Sequence, residues 1–295
     1  MKSVRVLDSD RAEAALASLL GNYSAEVTAG DRKSIDAAKT MMVPGAEVYI
    51  TSLASHPIHR QITVASELRA AGLIPVPHVV ARNLRDRNEL DLLLRRLTSE
   101  AGVDRALILA GDRESPAGDL TSSLQILQSG LLTKYGIGKI ALSWYPEGHR
   151  RIAESEIAAA RSAKLAFAAA HGLEVVLVSQ FCFDSAPIVE SARKMRAAGV
   201  NVPLRLGVAG PASRAALLKY AMICGVGASL RTLRERPEAR SLIVGETPED
   251  LLTEVAQAQA ADPTLGIQGV HFFTFASLVE TVRFVNARVR AVANA

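Results

Sequence analysis

The sequence predicts an α/β protein, a (β/α)8 TIM barrel with an extra N-terminal helix. Eight short runs rich in β-branched or apolar residues recur along the 295-residue chain. Most of these runs are continuously apolar rather than alternating, which is typical of parallel strands buried on both faces. Segments with apolar residues at helical spacing lie between them, and several end near a glycine. Eight strands alternating with helices is the number that closes a barrel of this class.

The predicted elements follow in chain order. The eight strand runs are 24–29, 47–52, 74–80, 105–111, 139–146, 173–180, 203–210 and 269–275. Helical patterns are clear at 59–72, 87–102, 119–136 and 186–199. Residues 1–20 carry acidic side chains and no long apolar core, so they predict a helix covering the bottom of the barrel rather than a signal peptide.

The long connection at 211–266 is expected to hold two or three helices, with 234–250 as a surface loop. An open doubly wound sheet is the rival architecture, but no GxGxxG sequence follows the first strand. We therefore predict that residues 1–295 form one barrel domain.

Composition limits the classes of partner. Apolar residues make up 49% of the chain and the net charge is +4, with basic and acidic residues interleaved rather than clustered. Aromatic residues are 4%, so a nucleic acid is not expected as a partner. The N-terminal segment has no long apolar core, so a membrane is not expected either. Cys182 and Cys224 have no paired spacing, which predicts neither a disulfide framework nor a metal site and favours a cytoplasmic location.

Polar residues and glycines lie at or near the predicted strand ends, where barrels of this class build their active sites. These residues are Glu26, Thr51, His56, His59, His78, Gly111, Asp112, Tyr145, His149, Gln180, Gly207, Gly210, His271 and Thr274. Such convergence predicts a small-molecule pocket.

Ordinary interpretations of these residues stay open. Glu26 also suits a structural ion pair, and Asp112 also suits a turn cap. His78 also suits a hydrogen-bonded interior position, and Gln180 also suits a hydrogen bond to a neighbouring loop. Gly207 and Gly210 also suit ordinary turns. His56 and His59 form a weak metal pattern because no carboxylate is near them in sequence.

In their order, the strand-end motifs resemble the methylenetetrahydrofolate reductase family, which are flavin-dependent (β/α)8 barrels. The matching segments are "LAGDRESPAGD" at 109–119, "YPEGH" at 145–149, "SQFCFD" at 179–184, "RLGVAGP" at 205–211 and "HFFT" at 271–274. Each motif is short, but the ordered set extends over residues 24–277, most of the chain.

The resemblance implies that the protein interconverts 5,10-methylenetetrahydrofolate and 5-methyltetrahydrofolate by hydride transfer through FAD. Glu26 is then the general acid or base that exchanges a proton with N10 of the folate. Asp112 would lie beside the flavin pyrimidine edge, oppose negative charge at N1 and help to bind folate. The loop 113–118 would approach the dinucleotide, and Gln180 would bond the pterin. The implied FAD contacts are Thr51, His78, Gly111, Asp112, Tyr145, His149 and Lys164.

The family also implies NAD(P)H as a co-substrate, a role in one-carbon metabolism and methionine biosynthesis, and a homo-oligomer. Ala110 and Ser277 stand where the family carries arginines, and residues 225–235 lack its nicotinamide-stacking aromatic. These departures leave the direction open, including oxidation of methyl-folate. They also leave open a flavin-free folate-binding or methyltransferase-accessory barrel, and an unrelated barrel lyase that binds phosphate at strands 7 and 8.

Overall fold

The strands form a closed parallel barrel, in a computed structural model that describes residues 2–212 and 248–293 together with residues 217, 220 and 222. The strands follow around the barrel in chain order from β1 to β8, as predicted for a (β/α)8 TIM barrel. Their bounds are β1 Tyr23–Thr28, β2 Glu47–Thr51, β3 Ile74–Val80, β4 Arg105–Leu109, β5 Lys139–Trp144, β6 Glu174–Ser179, β7 Leu204–Ala209 and β8 Ile267–Phe273.

The helices connect the strands. Their bounds are α1 Lys2–Gly21, α2 Arg32–Met41, α3 Ile58–Ala70, α4 Arg87–Ala101, α5 Ser123–Gln128, α6 Leu131–Lys134, α7 Glu154–Ala170, α8 Ser185–Ala197, α9 Glu249–Ala261 and α10 Leu278–Ala293. Short 3-10 turns occupy Ala81–Asn83 and Pro263–Leu265. None of the helices within these described stretches combines the length and apolar character needed to cross a bilayer.

All eight predicted strands and the N-terminal helix are confirmed. The prediction of one helix over 119–136 is wrong, because α5 and α6 are separated by Gly130, whose φ of 71° is left-handed. The Ser122 hydroxyl caps the first of these helices by accepting from the backbone N–H of Gln125. Most of the predicted loop 234–250, the stretch 225–235 and Cys224 lie outside the described residues, whereas 249–250 begin α9.

The chain divides into two compact units. The first comprises residues 1–25, 144–151 and 178–295, and the second comprises residues 26–143 and 152–177. The assignment of residues 1–295 to a single domain stays a prediction.

The second unit contains strands β2, β3 and β4, with α3 packed on β2, β3 and α4. Val48, Ile50, Leu68 and Leu94 are fully buried in it. Near the strand starts, Arg105 donates to Glu47 at 2.6 Å and to Asp104 at 3.0 Å. Strands β2 and β4 therefore begin in one ion-pair network. The hydrogen bond to Asp104, and then the one to Glu47, raise the pKa of Arg105.

The first unit contains β7, β8 and α1, the last of which packs against β8, α9 and α10. Gly207 pairs with His271 across β7 and β8, and its N–H donates to Ser179 Oγ at 2.7 Å. A β-carbon at Gly207 would overlap the backbone carbonyl of Ser179. Turn chemistry is therefore the wrong interpretation of Gly207, because this glycine lies within β7 and permits close packing there.

Candidate functional site

Glu26 and His78 lie together inside the second unit. Glu26 is on β1 and His78 on β3, and 3.6 Å separates Glu26 Oε2 from His78 Nε2. The Glu26 side chain is 21% exposed and that of His78 is 8% exposed. The structure thus pairs two residues to which the sequence had assigned separate roles, proton transfer for Glu26 and flavin contact for His78.

The setting of Glu26 favours its protonated form. Burial raises the pKa of Glu26 above its ordinary value of 4.5, and the charge of His78 opposes this rise. Desolvation is the larger effect, since a carboxylate loses more hydration in this setting than a neutral carboxyl does. A carboxyl with a raised pKa suits a general acid.

Gln61 on α3 fixes the backbone on which His78 lies. Its Nε2 donates to the carbonyl of Ile50 at 2.9 Å and to the carbonyl of His78 at 3.0 Å. The residue is 5% exposed, so both bonds are shielded from water. Gln61 therefore links the carboxyl-terminal halves of β2 and β3 through one side-chain amide.

Thr51 ends β2, where the resemblance implies a flavin contact. Its Oγ1 is buried and has no hydrogen-bond partner among the residues that the structure describes. The neighbouring carbonyl of Ser52 accepts from Asn83 Nδ2 at 3.0 Å, which ties the loop after β2 to the turn after β3. A buried hydroxyl without a protein partner fits a position where a polar ligand edge completes the bonding.

The loop after β4 is anchored to Arg82. The Arg82 N–H donates to the Ala110 carbonyl at 2.9 Å, and the Ala117 N–H donates to the Arg82 carbonyl at 3.0 Å. Asp112 in this loop is exposed and makes no hydrogen bond or ion pair with another described residue. Its carboxylate is thus available to a ligand, and it caps no described helix.

Two glycines of this loop are required by the protein itself. Gly111 has a φ of 99°, and a β-carbon there would press on Val80. A β-carbon on Gly118 would overlap the carbonyl of Arg85. Gly118 therefore permits the loop to pack closely on the backbone of Arg85. The sequence had suggested a different reason for small residues here, an approach of the loop to a dinucleotide.

Lys164 lies on α7 three residues after Arg161. Burial, with a smaller contribution from the charge of Arg161, lowers the pKa of Lys164. Arg161 Nε is buried without a hydrogen-bond partner within the described part of the chain. Neither cation forms a salt bridge to a described carboxylate, so an anionic ligand group would suit this face of the helix.

In the first unit, Tyr145 and His149 share the tight turn that follows β5. The Gly148 N–H donates to the Tyr145 carbonyl at 3.1 Å, and the two rings meet edge to face with centroids 5.2 Å apart. His149 Nδ1 accepts from the Arg151 N–H at 3.2 Å. Burial and then the Arg151 charge lower the pKa of His149, so the ring is neutral at neutral pH and its Nε2 carries the proton.

Gln180 follows β6 and bonds within its own segment. Its Oε1 accepts from the Phe181 N–H at 3.1 Å, and its backbone N–H donates to Trp144 at 2.8 Å. The side-chain amide nitrogen has no partner among the described residues and remains available to a ligand. Asp184, part of the same motif, accepts from the Ala186 N–H at 3.0 Å and caps α8.

A second buried polar pair lies between β1 and β8. Ser24 Oγ is 2.9 Å from His271 Nδ1, and both residues are at most 1% exposed. Ser24 precedes Glu26 by two positions on β1, so the two side chains point to the same face of the strand.

The segment after β8 departs from ordinary backbone geometry. Phe275 and Ala276 have φ values of 47° and 65°, in the left-handed region. The Ser277 N–H closes the turn on the Thr274 carbonyl at 2.7 Å. Tyr220 stacks on Phe275 with ring centroids 4.4 Å apart. The position of the missing family arginine, 277, is therefore part of a tight turn beside an aromatic cluster.

No group of metal-ligating side chains occurs among the described residues. His56 packs against Gly30, and its Nδ1 is buried without a described hydrogen-bond partner. Cys182 is a free, buried thiol whose pKa is raised, chiefly by burial and further by Glu147 and Asp184.

Gln61, Arg82 and Arg161 were missed by sequence reasoning. Gln61 and Arg161 lie in helical patterns, where polar residues are normally assigned to the solvent face. Ser24 was detectable, because the period of two on β1 places it on the face of Glu26. Nothing in the sequence pattern marks Arg82, since its contacts are to backbone atoms of another loop.

No protein-family model matches the chain. The fold is similar to that of dihydropteroate synthase (FolP) from Thermus thermophilus, with a TM-score of 0.50 and 15% identity over 90% of this chain and 93% of that one. A 2,3-dimethylmalate lyase of the PEP mutase/isocitrate lyase superfamily gives a TM-score of 0.49 and 12% identity over 96% and 88% of the two chains. At 15% identity the likeness to dihydropteroate synthase concerns the fold alone, and by that fold the chain is a (β/α)8 barrel.

Proposed function

We propose that this protein is an FAD-dependent oxidoreductase that interconverts 5,10-methylenetetrahydrofolate and 5-methyltetrahydrofolate. The observation that carries the proposal is the Glu26 carboxyl, held on β1 at 3.6 Å from His78 with its pKa raised by burial. The reaction needs a group of this kind, because N10 must gain a proton when the five-membered ring of methylene-folate opens.

Glu26 moves the proton in either direction. In reduction, the protonated carboxyl donates to N10 as the C–N10 bond breaks and leaves an iminium cation at N5. In oxidation of methyl-folate, the carboxylate accepts the proton from N10 as the ring closes. The chemistry supplied by bound FAD is hydride transfer at the folate carbon, with NAD(P)H as the reductant in the first direction.

The residues assigned to the cofactor are those of the resemblance. They are Thr51, His78, Gly111, Asp112, Tyr145, His149 and Lys164, with Gln180 assigned to the pterin. Two observations support this assignment: the buried Thr51 hydroxyl lacks a partner among the described residues, and Lys164 lacks a described carboxylate partner.

The choice of substrate rests on the strand-end motifs and on Glu26. The structural neighbour is itself named a dihydropteroate synthase, but at 15% identity its substrate does not carry over to this chain. The use of NAD(P)H, the role in methionine biosynthesis and the homo-oligomer stay predictions.

The test is a visible spectrum of the purified protein, followed by anaerobic addition of 5-methyltetrahydrofolate. We expect oxidised flavin bands at about 380 and 450 nm that bleach when 5-methyltetrahydrofolate is added. Glu26→Gln should retain the flavin but bleach about 100-fold or more slowly, as loss of a general base requires. The control Glu13→Gln, at an exposed carboxyl on α1, should bleach at the wild-type rate.

Absence of flavin after FAD is supplied would refute the proposal. Continued folate binding would then favour the flavin-free folate-binding or accessory barrel that Ala110 and Ser277 suggest. Separate stopped-flow reduction by NADH and by methyl-folate determines the physiological direction.

A further inference from the structure

We infer that Arg82 binds a phosphate group of the dinucleotide cofactor, an inference that rests on the proposed function. Arg82 lies in the 3-10 turn Ala81–Asn83 that follows β3. The resemblance assigned no role to this position, and the contacts of Arg82 alone point to one.

The guanidinium of Arg82 is held in place before any ligand arrives. Two backbone bonds tie the residue to Ala110 and Ala117, and its Nη2 donates to the Glu114 carbonyl at 3.0 Å. Three anchors on one loop therefore fix both the main chain and one end of the side chain. A fixed guanidinium gives up little conformational freedom on binding, which favours its use in recognition.

Part of the guanidinium is buried and unused. Arg82 Nε is buried and has no hydrogen-bond partner in the described stretches, and Arg82 forms no salt bridge there. A buried N–H without an acceptor is costly, and more so when it carries charge. The Glu114 bond uses Nη2 and leaves the Nε–H without an acceptor among the described residues, and a phosphate oxygen is an acceptor that suits a charged N–H.

The position of Arg82 explains how the protein manages without the family's arginine. Ala110 occupies that place, and Arg82 bonds the Ala110 backbone directly. A β-carbon on Gly111 would lie 3.5 Å from Arg82 Cβ, so the two residues are in immediate contact. Arg82, in the turn after β3, thus supplies the positive charge that Ala110 at the end of β4 does not.

A phosphate is the anion that the proposed cofactor supplies. Its flavin ring and ribityl chain are uncharged when oxidised, whereas its diphosphate is negative. A folate glutamate tail offers a carboxylate with the same fork geometry, and the experiment separates the two sources.

The experiment measures Kd for FAD, riboflavin, ADP and folate with wild type and with Arg82→Gln, by fluorescence and calorimetry. Riboflavin retains the ring but lacks phosphate. We expect the substitution to weaken FAD and ADP by about 10- to 100-fold, because one charge-assisted bond is lost, and to leave riboflavin and folate unchanged. Arg85→Gln is the control, since this exposed side chain pairs with Glu89 in the same connection.

A charge relocation strengthens the test. Arg82→Gln combined with Ala110→Arg should recover at least half of the lost free energy of FAD binding. Unchanged FAD affinity in Arg82→Gln would overturn the inference and leave the proposed function standing. Equal weakening of FAD and riboflavin would also overturn it, since that result indicates a structural role, and weakening of folate alone would identify a carboxylate site instead.

Wild type that binds neither FAD nor ADP would overturn the inference and the proposed function together. Wild type that binds ADP through Arg82, but no flavin, would support the phosphate site and refute the flavin enzyme.

Discussion

Replacing Gln61 with leucine tests whether one buried amide holds β2 and β3 together. The side chain keeps its approximate size but loses both donors, to Ile50 O at 2.9 Å and to His78 O at 3.0 Å. Each bond to a buried carbonyl contributes about 1–1.5 kcal/mol, and acceptors left without a donor add to the loss, so we expect about 2–4 kcal/mol. The corresponding fall in Tm is roughly 3–6 °C for a chain of 295 residues.

Urea denaturation followed by circular dichroism measures this loss. Gln128→Leu, at an exposed glutamine of the same unit, is the control and should stay within about 0.5 kcal/mol of wild type. Gln61→Glu should recover part of the stability below the pKa of the new carboxyl, because only the protonated form can donate. If Gln61→Leu is as stable as the control, the two carbonyl bonds do not hold the strands, and the reasoning is refuted.

Three further predictions concern the proton-transfer pair and the barrel backbone. Because the folded pKa of Glu26 is raised, wild-type stability falls as pH rises from 4.5 through the folded value. Glu26→Gln lacks this dependence, so it should gain relative stability at pH 8 and show no such gain at pH 4 in paired urea titrations. His78→Asn removes a charge that lowers the Glu26 pKa, so the pH–rate profile limb that reports Glu26 should move to higher pH; a limb that stays in place would contradict the pairing. Gly207→Ala forces a β-carbon onto the Ser179 carbonyl and should cost about 1–3 kcal/mol, whereas Gly138→Ala, with open space, should be near neutral by calorimetry.

The strands could be predicted because burial on both faces requires continuous apolar runs in the sequence. β3 is 74–80 in both the prediction and the structure, and the apolar run ends within one residue of the strand, at Ala81. Helix boundaries were less predictable where a glycine interrupts the pattern. Gly130 could be either a tolerated helical residue or a break, and its left-handed φ decides the matter.

The candidate site could be predicted as a set of residues but not as contacts. Glu26 and His78 come from strands that are not neighbours around the sheet, so their 3.6 Å approach depends on how side chains fill the barrel interior. Arg82 could not be identified for a different reason. Its importance comes from backbone bonds to the β4 loop, which leave no mark on the residue pattern.

The pairing of β1 with β8 has a consequence for the order of folding. The Asn22 side-chain amide donates to the Gln268 carbonyl across 246 positions, and Ser24 pairs with His271 over a similar separation. During synthesis β1 emerges early yet has no partner on that side until β8 has left the ribosome. Until then, the edge of β1 that faces β8 has unpaired backbone groups. Contacts between residues so far apart in sequence make closure of the barrel slow. All residues of the compact unit 26–143 and 152–177 have been synthesised much earlier, so we expect this unit to become ordered before β1 pairs with β8.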